Sequence, residues 1–143
     1  MAIKMDGTVW AWGVNHYGQL GDGTKTNRLS PVQVSGLTNV VQIVAGNGQA
    51  FALKEDGSVW GWGYSHDAYP IGTGEKTIYL TPVKISHLNG IIAIATVDYH
   101  PYASISLALD NNKRIWAWGL NNLGQVGDGT TNPRLTPVLI NRF

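Results

Sequence analysis

Two short stretches, 64–72 (YSHDAYPIG) and 97–104 (VDYHPYAS), hold most of the side chains in this chain that are equipped for chemistry. His66, Asp67, Asp98 and His100 are metal-ligand types, but their spacing carries no ligand signature, and solvated loop histidines are the expectation. His16 and His87 read the same way. The aromatic content is more telling. Tyrosine offers a large amphipathic contact area at low entropic cost and is a common hot-spot residue. Tyr64, His66, Tyr69, Tyr99, His100 and Tyr102 are therefore expected to form a binding surface. No metal or cofactor is expected. The phosphate-loop-like run GTGEKT at 72–77 has Glu75 where a glycine should precede the lysine, and it opens no helix. No G-x-S-x-G, no H-E-x-x-H and no suggestive carboxylate pair occurs. The reading is non-enzymatic.

Bulk composition removes further classes. Ten basic and nine acidic side chains leave a net charge of +1, and charged residues are only 13% of the 143. Lys and Arg are scattered, Lys113–Arg114 being the one adjacent pair, so no basic stripe for nucleic acid is expected. No apolar run reaches the length of a membrane helix, and no signal peptide is visible. Cytoplasmic and secreted locations both stay open. With no cysteine, disulfides and thiolate chemistry are excluded.

The elements that must hold the two stretches come from an internal repeat. TVWAWG (8–13), SVWGWG (58–63) and RIWAWG (114–119) recur, with Pro31, Pro82 and Pro137 in step as SPVQV, TPVKI and TPVLI. Between them run Gly-rich links, YGQLGDGT at 17–24 and LGQVGDGT at 123–130, eroded in the middle copy to YPIGTGEK at 69–76. Each unit reads as four short strands rich in β-branched and aromatic residues. In the middle copy these are 40–45, 50–54, 58–62 and 81–85. Asp6-Gly7 and Asp56-Gly57 mark the second-to-third turns, and Asn111–Asn112 are expected to supply the positive φ in the last copy. A proline at the second position of the fourth strand assigns that strand to an edge. The fold class is all-β, with units at about 1–39, 40–89 and 90–143.

Repeated four-stranded units of about 50 residues point to propeller blades. Side chains alternate along a strand, so Trp10 and Trp12, Trp60 and Trp62, and Trp116 and Trp118 all point to one face. The small residues between them face the other way and receive the next unit's rings. Losing such a ring should cost about 3–5 kcal/mol.

The string at 6–34, DGTVWAWGVNHYGQLGDGTKTNRLSPVQV, closely resembles the regulator-of-chromosome-condensation (RCC1-type) repeat, and 111–140 is similar to it almost as well. The resemblance implies a seven-bladed β-propeller in full-length members and a role in protein recognition. Some eukaryotic members are guanine nucleotide exchange factors. Bacterial members include inhibitors that clamp onto an enzyme and surface or secreted proteins. Where the family commonly has a buried histidine, Gln49 and Ile105 stand, and a buried polar contact is expected to be lost. The exchange-factor loops find no match.

Three units, the first lacking its opening strand, give an expected eleven strands and an open wedge. Closure is expected either by oligomerisation, two chains making six blades, or as part of a longer seven-bladed ring. The expected partners are the chain itself and a protein; a carbohydrate is the alternative ligand. The one-to-two and three-to-four loops share a rim, which places both opening stretches together.

Overall fold

A computed structural model describes residues 1–46, 48–66, 70–99 and 103–141, with the side chains of Asp98, Tyr99 and Ala103 outside the description. The described residues hold strands and turns and no helix. In order the strands are β1 (Ala2–Ile3), β2 (Val9–Gly13), β3 (Arg28–Gln33), β4 (Val40–Ala45), β5 (Gln49–Lys54), β6 (Val59–Tyr64), β7 (Ile78–Lys84), β8 (Ile91–Tyr99), β9 (Ala103–Asp110), β10 (Ile115–Gly119) and β11 (Arg134–Ile140). They form three antiparallel meanders: β1-β2-β3, β4-β5-β6-β7 and β8-β9-β10-β11.

The turns between second and third strands are set by local chemistry. Lys4 N donates to Thr8 O and Gly7 N to Lys4 O, both at 2.9 Å, with Gly7 at φ 74°. This is a type I turn closed by a left-handed residue. Asp6 accepts from Thr8 N at 2.9 Å and Thr8 Oγ1 at 2.6 Å, and Thr8 Oγ1 accepts from Trp10 Nε1 at 3.2 Å. Asp56, Ser58 and Trp60 repeat the set. The last copy departs from expectation: Lys113, at φ 63°, takes the left-handed position rather than Asn111 or Asn112. Asp110 makes this possible by accepting from Asn112 N, Arg114 N, Arg114 Nε and Trp116 Nε1.

The outer strands β3, β7 and β11 sit at sheet edges and carry Pro31, Pro82 and Pro137. β7 begins at Ile78, ahead of the expected 81, so Pro82 falls in its middle. The register explains it. Gly61 pairs with Val83 and Gly63 with Tyr79, so the edge strand carries two extra residues around the proline. The same break recurs at Ala11/Gly13 and Ala117/Gly119.

Successive sheets are joined by matched bonds. Val40 N donates to Gly7 O and Ile91 N to Gly57 O. Gly23 N donates to Leu80 O and Gly74 N to Leu135 O. Gln42 imitates a ladder rung, donating to Ile94 O at 2.7 Å and accepting from Ile94 N at 3.0 Å. Trp62 is fully buried and donates to Gln19 O at 2.9 Å. It lies on Gly21, where an added Cβ would come within 2.8 Å of the indole nitrogen. Trp118, also buried, lies in the same way on Gly72 and meets Phe51 edge-on at 5.8 Å. The doublets are not uniform. Trp60 and Trp116 are half-buried beside the same cores as Trp62 and Trp118, Trp10 is half-buried, and Trp12 is 47% exposed, with no sheet of the described residues over it.

Candidate recognition rim

The rim is built by the loops that follow the third strands. In the first unit Asn15, fully buried, organises residues 14–27. Its amide donates to Asp22 Oδ1, Thr24 O and Thr26 O, and its Oδ1 accepts from Leu20 N at 2.9 Å. Asn121 makes the same contacts with Asp128, Thr130, Asn132 and Val126. Arg28 pairs with Asp22 at 2.7 Å, and Arg134 pairs with Asp128. Burial pushes the Asp128 carboxyl up. Hydrogen bonds from Thr130, Arg134 and Asn121 outweigh that and hold it at about 2.

The middle loop reaches closure with other residues. Ser65 replaces Asn15, donating to Glu75 O at 2.7 Å and accepting from Ile71 N at 3.3 Å. Tyr79 replaces the arginine, and its hydroxyl bonds Thr73 Oγ1 at 3.0 Å and Glu75 Oε2 at 2.8 Å.

Gly48 lies on the same rim, since Tyr64 N donates to Gly48 O at 2.8 Å. With no side chain on Gly48, Tyr17 from the first unit reaches over it: an added Cβ there would stand 3.4 Å from the Tyr17 ring and 3.6 Å from Tyr64 Cβ. The Tyr17 and Tyr64 rings pack at 5.1 Å, tilted by 31°, and Tyr64 stacks on His66 at 5.8 Å and 11°. Two of the expected residues, Tyr64 and His66, are thus brought together, and Tyr17 joins them. Its signal in the sequence is the small residue at 48 that lets two units approach.

The third unit's stretch is not the loop expected at 97–104. β8 and β9 continue into it, pairing Asp98 with Ser104 and Tyr99 with Ala103. Strand-forming residues on both sides of 100–102 carry this pairing past the expected strand ends. Tyr99 ends β8 with its side chain undescribed, and Asp67, Tyr69, His100 and Tyr102 lie outside the described residues. Among the described residues no three His, Cys, Asp or Glu side chains are grouped to hold a metal. Gln49 corrects another expectation. It is buried and donates to Ser104 Oγ of the next sheet at 3.1 Å, so a buried polar contact is kept there. Ile105 instead packs on the small apolar core of the third sheet.

These features can be set beside known proteins. Human E3 ubiquitin-protein ligase HERC2 is 34% identical over 144 residues, covering 98% of this chain and 3% of that protein. The ultraviolet-B receptor UVR8 of Arabidopsis thaliana is 28% identical, covering 97% of this chain and 31% of the receptor. The crystal structure of human WBSCR16 aligns with TM-score 0.73 at 23% identity, over 96% of this chain and 35% of that one. Prp20p from Saccharomyces cerevisiae aligns with TM-score 0.78 at 22% identity, over 99% and 36% respectively. The chain thus spans little more than a third, or far less, of the relatives it matches, and the fold it shares with those structures is the β-propeller. The regulator of chromosome condensation (RCC1) repeat pattern matches residues 6–53 and 113–143, and a second pattern of that repeat matches 40–67 and 91–125. With Trp-on-glycine junctions between its sheets and the repeat pattern over most of its length, the chain belongs to the RCC1 repeat family.

Proposed function

We propose that this chain is a non-catalytic propeller scaffold for protein recognition, reading its partner with the rim around Tyr17, Tyr64 and His66. The observation that carries the reading is the three-ring strip contributed by two units, with Tyr64 at the end of β6 and Tyr17 and His66 on the loops that follow β2 and β6. Recognition tends to sit on loops fixed by such a scaffold, and tyrosines supply contact area without a large entropic cost. The proposal also takes in Tyr69, Tyr99, His100 and Tyr102 from their sequence pattern alone. Prp20p is described with binding properties to Gsp1p and histones, and yeast RCC1 (Prp20) with Kap60 bound, which supports a protein as the ligand.

The near-parallel Tyr64–His66 stack favours a second reading, a carbohydrate whose ring lies flat on the strip. One experiment separates the two. A protein captured from lysate is rebound to purified wild type and to Tyr17→Ala/His66→Ala, both exposed positions, and a glycan array is run beside it. Loss of protein binding by about tenfold or more at unchanged melting temperature supports the first reading. Undiminished protein binding removes it, and glycan signal that is lost in the variant installs the second.

A further inference from the structure

The link between the second and third sheets holds two groups that can react with each other. Asn89 is followed there by Gly90. In such a pair the backbone nitrogen of the glycine can attack the asparagine side-chain amide, because no Cβ stands in the way. A folded chain protects the pair by bonding the nitrogen, bonding the amide or burying both. None of these protections is present at this link. Asn89 is exposed, and among the described residues neither its backbone nor its side chain makes a hydrogen bond. Gly90 N likewise donates to no described residue, although Gly90 O accepts from Asn111 N at 2.9 Å. Asn89 is the one described asparagine that precedes a glycine.

The exposure belongs to the link itself, since both sheets that it joins are in place. The link between the first and second sheets gives the contrast. Thr38 and Asn39 hold the matching positions, and Asn39 takes at φ 56° the left-handed conformation that Gly90 takes at φ 62°. Thr38 has no side-chain amide to be attacked. Packing on either side of Asn89 leaves the chain no slack. Leu88 is fully buried, Ile91 N donates to Gly57 O at 3.0 Å, and an added Cβ on Gly57 would stand 2.9 Å from Gly90 Cα.

The structure assigns to Asn89 and Gly90 a self-modification site that reacts in the folded protein. Gly90 N attacks Asn89 Cγ. The new C–N bond closes a five-membered imide, and the side-chain nitrogen leaves as ammonia, taking the proton of Gly90 N. A solvent water then opens the imide. Opening at the side-chain carbonyl gives aspartate, and opening at the main-chain carbonyl gives isoaspartate. Both products carry a carboxylate where the amide stood. The isoaspartyl product also carries an extra methylene in the main chain. Held between Leu88 and Gly90, that methylene displaces Gly90 from Gly57 and Asn111 and loosens the second junction, while the first keeps its contacts.

Peptide mapping of the purified chain, aged in mildly alkaline buffer, tests it. Cleavage after Lys and Arg separates peptide 85–113, which holds Asn89, from peptide 29–54, which holds the Asn-Gly pair at 47–48. The expected result is an amide-to-carboxyl mass change in 85–113, resolved into aspartyl and isoaspartyl forms. Asn89→Thr abolishes it, which sets Asn111 and Asn112 aside. A site that reacted only through global unfolding would be slowed by the folded-to-unfolded ratio, about 10³-fold or more. The native rate is expected within about tenfold of the rate in urea, as for a link that opens locally or needs no opening. An unchanged 85–113 overturns the assignment. So does a change that persists in Asn89→Thr, and so does a native rate suppressed by the full unfolding ratio. Thermal melts read the junction. The isolated isoaspartyl form melts below the fresh chain, and Asn89→Asp, which adds the charge without the methylene, melts with it. An isoaspartyl form that melts with the fresh chain overturns the effect on the junction.

Discussion

Gly61 is the position where internal consensus and packing give opposite advice. The other repeats carry Ala11 and Ala117 there, so consensus nominates Gly61→Ala as stabilising. A Cβ at Gly61 would lie 2.5 Å from Ile71 Cγ2 and 3.2 Å from Phe51 Cδ1 and Cε1. Both neighbours are buried, so neither ring nor methyl has solvent to move into. Removing a strand glycine recovers about 0.5–1 kcal/mol of backbone entropy. Overpacking a closed core costs about 1–3 kcal/mol. The packing cost wins, leaving a net loss of about 1–2 kcal/mol. For a chain of this length that is a fall in melting temperature of roughly 3–8 °C. The second half of the prediction isolates the cause. Ile71→Leu removes Cγ2 and installs the pairing of the first repeat, Leu20 beside Ala11. Alone it costs less than about 1.5 kcal/mol. Combined with Gly61→Ala it recovers most of the loss, a favourable coupling measured in a double-mutant cycle by urea unfolding. A higher melting temperature for Gly61→Ala, or additive losses in the double variant, would refute the steric argument.

Acid should loosen the fold in a defined window. Asp110 and Asp128 both sit at about 2, where burial pushes up and donated hydrogen bonds pull further down. Their contribution is whole above the ordinary carboxylate value near 4 and is lost as pH falls from there to about 2. Asp128→Asn should flatten that limb of melting temperature against pH, and an unchanged limb counts against it. Asn121→Ala strands Val126 N and the carbonyls of Thr130 and Asn132. With about 1–3 kcal/mol for a buried group left unpaired, the loss should reach about 2–4 kcal/mol by urea titration. Asn121→Ser should cost less, because Ser65 already does this work in the middle loop.

Features that recur between units were legible from the sequence. Tryptophans two apart must share a face and a proline cannot sit inside a ladder in all three units, and Asp-Gly must turn in the two that carry it. Features that depend on distance through space were not. The alternation says that Trp60 and Trp62 point the same way, but not that Ser58 and Lys54 hold the first at the sheet's margin while the glycine loop closes over the second. Likewise Lys113 in a left-handed turn depends on the side chain of Asp110, three residues earlier.

The middle loop carries the clearest lesson, because in sequence it looks decayed. Decay would scatter orphaned polar groups through its interior. Instead Ser65 stands in for Asn15, Tyr79 and Glu75 for the Arg28–Asp22 pair, and Ile71 with Gly61 for Leu20 with Ala11. Each exchange compensates another, so the loop was repacked as a set. Its cost is concentrated at Trp118, whose buried Nε1 finds no acceptor among the described residues, where Trp62 has the Gln19 carbonyl. The described part of the loop thus closes with its own set of contacts and presents a different rim. That rim is where Tyr64 packs against Tyr17 and stacks on His66.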